Sequence, residues 1–314
     1  LVDVSEQDDE TAAKTIQALA PDVVIDLGVY SNNNRPGVLA HRPCAVQVSW
    51  QVAPYSSGAP WLDYIISDEQ VRPEEGWCSE AEVIMPDCFF AFTHHPLVPL
   101  PAPSRASLGL PENKFVFACL SNANKISPDI FQCWMQLLQQ APDSVLWLLA
   151  NDTANILNFK REAEWAGVDP RRLLFAFRTH HEAHLVRFGA ADLFLDTWYC
   201  NGHTTVAECL WAGTPVLSLR GKTFASRVGA SMLHGVNLPE LIVDTKEAYS
   251  QRALELYQNR ESLAALRHRL ADSRQQTSFM NTERRVAQME KVFFEMKRRA
   301  QLGMAPAAFS FAAL

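Results

Sequence analysis

Three features of this chain predict a doubly wound α/β fold in two lobes. Short apolar runs of strand length alternate with helical patterns, and those runs are continuously apolar rather than alternating in polarity. The length of 314 residues suits two domains at roughly 150 residues each. Continuous apolar strands are expected where helices cover both faces of a parallel sheet.

The elements follow in order. Asp9 to Leu19 reads as a helix, followed by strand candidates Val23 to Leu27, Ala45 to Trp50, Leu62 to Ile66 and Ala81 to Met85. A stretch rich in Pro and His, His94 to Pro103, is the natural linker. It divides an N-terminal lobe, 1–100, from a C-terminal lobe, 101–314. Beyond it, strands Lys114 to Leu120, Ser144 to Leu149, Arg172 to Phe177, Leu193 to Asp196 and Pro215 to Leu219 are expected. Helices Pro128 to Gln140, Ala154 to Ala166, His180 to Ala190 and His203 to Ala212 alternate with them, and amphipathic helices from Lys246 to Gln301 close the second lobe.

Composition removes several function classes. A net charge of -7 gives no basic footprint for nucleic acid. The seven cysteines form no C-x-x-C pair and several fall inside apolar patterns, so a reducing, cytoplasmic setting is expected rather than a disulfide framework. No run of 18 apolar residues and no secretory signal is present, so no membrane partner is expected. The chain opens on Leu1-Val2-Asp3-Val4 without a Met, and is expected to begin inside a larger protein. No repeat of 20–50 residues is visible in it.

In open parallel sheets, ligands bind beyond the carboxyl ends of strands. After Leu193 to Asp196 comes Cys200-Asn201-Gly202-His203-Thr204-Thr205, opening a helix. A glycine for close approach, free helix amides and hydroxyl donors suit a phosphate. Glu208, one turn beyond Thr204, suits ribose hydroxyls. An ordinary capped helix with a surface Glu explains the same residues. Lys125 follows Ser121-Asn122-Ala123-Asn124 just before a helix and is placed to neutralise a diphosphate; a solvated loop lysine is the plain alternative. The chain has no D-x-D triplet, so no metal-chelated diphosphate is expected. Thr179-His180-His181-Glu182 reads as a capping box. His180 and His184 are spaced as zinc ligands without a third, so no metal is assigned. His184 and Arg187 share a helix face and suit a planar base, although a surface pair is the plain reading.

These signals fall in a familiar order. Asn124-Lys125-Ile126, Ala141 to Leu149, Leu195-Asp196-Thr197, Cys200 to Thr205, Leu210 to Pro215 and Ala225 to Val228 resemble the O-linked N-acetylglucosamine transferases, glycosyltransferase family 41. In the first lobe, Arg42-Pro43, Gln47-Val48, Ser57-Gly58-Ala59 and Leu62 to Asp68 also resemble that family. The resemblance implies a GT-B fold of two Rossmann-like lobes, the first incomplete at its N-terminus. It also implies an inverting, metal-independent transfer of N-acetylglucosamine from its UDP conjugate to Ser or Thr of proteins, with no cofactor besides that donor. Lys125 and His203 would then be the catalytic pair at the leaving diphosphate. Asn122, Thr179, His181, His184, Arg187, Thr204, Thr205 and Glu208 would bind UDP, and Pro54, Cys200, Asn201 and Gly202 would form the sugar pocket. The chain departs from the family at Tyr55, where the Pro-Gly-Thr-Ser-Gly loop has Gly, and at Asp22, near a proposed catalytic His. A different donor sugar or acceptor, or a UDP-binding module without catalysis, are the alternative readings.

Overall fold

The computed structural model describes residues 1–51, 53–73, 76–92, 103–150, 152–277 and 279–314. Most of the expected linker, 93–102, lies outside them. The chain forms two compact units, residues 1–91 with 282–314, and residues 92–281.

The first unit opens with α1 (Asp9–Ala18), capped by the Asp8 carboxylate on the Thr11 amide. Then come β1 (Val24–Asp26), α2 (Pro36–Ala40), β2 (Gln47–Ser49), β3 (Tyr64–Asp68) and β4 (Ala81–Met85). The second unit holds β5 (Phe115–Cys119), α3 (Pro128–Gln140), β6 (Ser144–Leu149), α4 (Thr153–Trp165), β7 (Leu173–Ala176), α5 (His181–Arg187), β8 (Leu193–Leu195), α6 (Thr204–Trp211) and β9 (Val216–Leu219). It continues through α7 (Val228–Gly235), β10 (Ile242–Val243), α8 (Lys246–Gln258) and α9 (Arg260–Gln276). The chain returns to the first unit with α10 (Thr282–Gln301) and β11 (Phe309–Ser310).

Both sheets are parallel throughout. The second runs β10-β9-β8-β5-β6-β7, with every residue of β5, β6, β8 and β9 buried. Read from β7, this is the 3-2-1-4-5-6 order of a dinucleotide-binding fold. Its order reverses between β5 and β8, which pair Phe117 with Leu193 and Ala118 with Phe194. The first sheet runs β1-β2-β3-β4-β11.

The C-terminal helices differ from expectation. Only α8 and α9 belong to the second unit, whereas α10 and β11 join the first, so the expected span 101–314 breaks near 282. The reason is a free sheet edge: β11 pairs with β4 through Phe309–Val83 and Ser310–Ile84. Phe309 meets Tyr64 edge-on at 6.2 Å and lies under the Arg299 guanidinium at 4.5 Å. An amphipathic stripe shows that a helix is buried, not against which sheet. Among the described residues no helix is long and apolar enough to cross a membrane.

Phe309→Ala is expected to destabilise the first unit by about 3 kcal/mol. Hydrogen exchange should speed up in β3 and β4 while β5 to β9 stay protected; equal acceleration in both sheets would contradict this assignment.

Candidate nucleotide-binding site

Two turns meet at the point where the second sheet reverses its order. The first follows β5, running Ser121-Asn122 into a 3-10 turn at Ala123–Lys125. The second follows β8, from Asp196 to His203, and opens α6. Because β5 and β8 are neighbours, the Lys125 Nζ reaches across and donates to the Asn201 carbonyl at 2.7 Å. The lysine therefore faces the start of α6, where the Thr204 and Thr205 amides have no acceptor in the preceding helical turn.

The second turn is braced from several sides. The Asp196 carboxylate, wholly buried, accepts from the Thr197 amide at 2.9 Å, the Gly202 amide at 2.8 Å and the Ser218 hydroxyl at 2.8 Å. Asn201 donates from its side chain to the Thr197 carbonyl at 2.6 Å, and its side-chain oxygen accepts from the Gly229 amide at 3.1 Å. The Thr197 hydroxyl donates to the Cys200 carbonyl at 2.7 Å. On the outer side, the Tyr199 hydroxyl donates to Asp129 at 2.7 Å, and Lys246 lies over the Trp198 ring at 4.8 Å. Gly202 is needed for room: a Cβ there would sit 3.0 Å from Val206.

Beside this turn lies a cavity of about 340 Å³. Asn122, Thr179, His181, His184, Arg187 and Thr205 line it, so six of the eight expected UDP-binding residues come together. Arg178, just after β7, also lines it and was missed by the motif reading. Its signal was its place at a strand's carboxyl end. Glu208 sits behind this wall, only 4% exposed, with its oxygens 3.4 Å from His181 and 3.6 Å from His184. It is not the surface carboxylate of the plain alternative. Thr204 is exposed at the helix start.

The expected capping box does not form. The helix begins at His181, its N-cap is His180 without a side-chain cap, and Thr179 stands outside it in the cavity wall. Arg187 is buried, not a surface donor. It donates to the Phe177 carbonyl at 2.7 Å and bonds the His184 ring, so its fork is held by its own chain. His184 also meets Phe188 edge-on at 4.9 Å. Among the described residues no group of three or more His, Cys, Asp or Glu is gathered as a metal site.

Desolvation sets the electrostatics. Burial, with Lys125 adding repulsion, pushes His203 down to about 4, so its ring is neutral at pH 7. Burial, then Arg187 and His181, lowers His184 to about 4. Burial lowers Arg187 to about 10, opposed by Glu208, and burial raises the Glu208 carboxyl against His181 and Arg187. Burial also raises Asp196 to about 6, against the Gly202 amide, the Ser218 hydroxyl and Lys125.

Pro54 lies in the first unit, in the loop Pro54-Tyr55-Ser56-Ser57-Gly58. Glu80 holds that loop, accepting from the Ser57 amide and the Ser56 hydroxyl, each at 2.7 Å, and from the Ser57 hydroxyl. Burial opposes its charge, yet the Ser57 and Ser56 hydroxyls hold its carboxyl below the usual range. Gly58 takes a positive φ of +65°, and Tyr55 is 39% exposed. Asp22, the departure near the family's proposed catalytic His, is exposed and paired with Lys297 at 2.8 Å.

The lowered histidines make a pH prediction. A folded pKa below the unfolded value means the unfolded chain binds more protons, so stability is lost as pH falls from 6.5 toward 4. Asp196 works with the opposite sign, gaining stability as pH falls through about 6. Between pH 7 and 4.5, wild type should lose roughly 2 kcal/mol relative to His203→Gln in urea unfolding. Parallel pH curves for the two proteins would contradict a neutral His203.

Comparison with known proteins agrees with this geometry. The model of Glycosyl transferase family 41 matches residues 1–102 and 96–289. A probable UDP-N-acetylglucosamine–peptide N-acetylglucosaminyltransferase, SEC of Arabidopsis thaliana, is 34% identical over 98% of this chain and 32% of its own length. The Caenorhabditis elegans UDP-N-acetylglucosamine–peptide N-acetylglucosaminyltransferase is 32% identical over 64% of this chain and 18% of its own. Among solved structures, a mutant Thermobaculum terrenum O-GlcNAc transferase superposes with a TM-score of 0.87 at 28% identity, covering 95% of this chain and 57% of that one. Anabaena HepE, solved with UDP and glucose, shares the fold at a TM-score of 0.59 and 14% identity, over 90% of this chain and 81% of its own. The chain thus spans about a third of the length of SEC. With two parallel-sheet lobes of GT-B type and a family match along most of its length, the chain belongs to glycosyltransferase family 41.

Proposed function

We propose that this chain is the catalytic region of an inverting, metal-independent transferase that moves N-acetylglucosamine from its UDP conjugate to Ser or Thr hydroxyls of proteins. The observation that carries the reading is the Lys125 ammonium facing the start of α6 across the sheet's reversal point. The names of its relatives supply donor and acceptor. The absence of any C-x-x-C spacing in the sequence, with Cys119, Cys133 and Cys209 buried as core side chains, supports a cytoplasmic setting.

In this mechanism the acceptor hydroxyl attacks the sugar's anomeric carbon from the face opposite UDP. The carbon–oxygen bond to the β-phosphate breaks and its electron pair leaves with UDP, while the hydroxyl proton passes to a general base. Negative charge therefore grows on the β-phosphate. Lys125 meets it with a full charge, and the Thr204 and Thr205 amides and hydroxyls meet it as donors. His203, neutral, contributes an N–H rather than a charge. These groups do the work that a metal performs where a D-x-D triplet is present, and the turn that carries them is already braced, so little reorganisation is needed. Uridine occupies the adjoining cavity, with Thr179, His181 and His184 toward the base and ribose and Glu208 holding the two histidines. Cys200, Asn201 and Gly202, in the turn before α6, belong to the sugar.

Lys125→Met should lower transfer to an acceptor peptide by about 10²–10³-fold, the range for losing one preorganised charge donor. Its unfolding midpoint should stay near that of wild type. Transfer at the wild-type rate would remove the lysine from the mechanism.

Tyr55 favours a second reading of the donor. Its ring is 39% exposed and adds bulk to the loop where the family pattern has glycine. Competition among UDP-N-acetylglucosamine, UDP-glucose and UDP-galactose, in wild type and in Tyr55→Gly, separates the two. Preference for the N-acetyl donor in both proteins supports the main reading, and a preference that switches on removing the ring supports the second.

A further inference from the structure

The motif reading gave Asp196 no role, and the leaving-group chemistry does not use it. It follows β8 directly, is 0% exposed, and accepts three hydrogen bonds. Two come from the Thr197 and Gly202 amides, the two ends of the turn that precedes α6, and both go to one oxygen. Pinning both ends closes the turn. The cross-bonds of Thr197 and Asn201 then fix its interior, and the Asn201 carbonyl is left pointing at Lys125. The other oxygen is held by Ser218, in packing so tight that a Cβ on Gly229 would stand 2.5 Å from the carboxylate and 2.2 Å from the Ser218 hydroxyl.

We propose that Asp196 is the positioning residue of the diphosphate site and that it acts as a carboxylate, shaping the 197–203 turn and holding the Lys125 ammonium against it before the donor arrives. The proposal rests on the UDP-sugar reading above. The ionised form is not there for stability. Burial holds the carboxyl up at about 6, so keeping it charged at pH 7 opposes folding. Charge kept against folding, inside a site, is the pattern of a functional group. The groups facing it are Lys125 from the β5 turn, Cys119 on β5, Cys209 on α6, Ser218 on β9 and Tyr249 on α8, whose hydroxyl donates to the Asp196 carbonyl at 3.0 Å. Both thiols and the phenol are pushed upward by burial and stay neutral, which leaves the lysine to answer the carboxylate.

The test is calorimetric titration of the full chain with UDP-N-acetylglucosamine from pH 5 to 8. This donor has no phosphate monoester, so it loses no proton in that range. Wild-type affinity should fall as pH drops through about 6. Asp196→Asn should bind about tenfold more weakly at pH 7.5, as expected when site geometry loosens. Its acid-side loss should disappear, and its melting temperature should not fall. His181 and His184 are common to both proteins, so the difference between the two curves reports Asp196. Ser218→Ala, which removes one donor to the ionised form, should move the wild-type acid limb to higher pH; it carries the test if Asp196→Asn does not fold. Wild-type-like affinity and pH dependence in Asp196→Asn, or an unmoved limb in Ser218→Ala, would overturn the positioning role alone. No binding by wild type at pH 7.5 would overturn the UDP-sugar reading, and this proposal with it.

Discussion

The hydrogen-bonded pairing of β5 with β8 is the constraint on which the second unit's site depends. Right-handed crossovers carry the chain from β5 toward β6 on one side and from β8 toward β9 on the other, so the helices that follow leave on opposite faces. In open parallel sheets this opens a crevice outside the strands' carboxyl ends, where ligands bind. Two turns meet there, one bringing a lysine and the other a helix start. Neither is unusual alone. Their adjacency creates a place where two cooperating positive influences face one volume.

Holding that place open has a thermodynamic cost, visible in the protonation states. His184, His203, Asp196, Glu208 and Arg187 all shift chiefly through desolvation, and each shift disfavours the charged form. A core built for stability alone would place apolar residues at these positions. The surrounding sheet offsets the cost: β5, β6, β8 and β9 are buried along their whole length, with Trp134, Trp147 and Tyr249 wholly or almost wholly buried around them. Tyr249 joins the two roles, since its ring is core and its hydroxyl holds the end of β8.

Much of the second unit was legible from sequence because its signals are local. Apolar runs placed its five principal strands within about a residue of their observed ends, and Pro128 marked the start of α3 as observed. Lys125 and the His203–Thr205 segment followed from the rule that ligands lie beyond strand ends. Less local features escaped. The 282–314 segment read as part of the second unit because an amphipathic pattern carries no address for the sheet it covers. The box at Thr179 and Glu182 had the right spacing, but the chain enters α5 at His181 and leaves Thr179 in the cavity wall. Arg187 looked like a surface donor because its acceptor, the Phe177 carbonyl, is a backbone group and leaves no trace in sequence. Asp196 read only as the end of a strand, since its partners lie on β9 and across the turn. The family resemblance named the candidate site residues in sequence; the structure shows which of the second unit's candidates stand together.

The central claim is a location for two phosphates, and a crystal structure of this chain soaked with UDP tests it most directly. The account expects β-phosphate oxygens within hydrogen-bond distance of the Thr204 and Thr205 amides, with the Lys125 Nζ turned from the Asn201 carbonyl toward the phosphate and uracil in the cavity beside His184. Phosphates bound elsewhere, for example in the groove between α3 and α4 with Lys125 still on the Asn201 carbonyl, would contradict it.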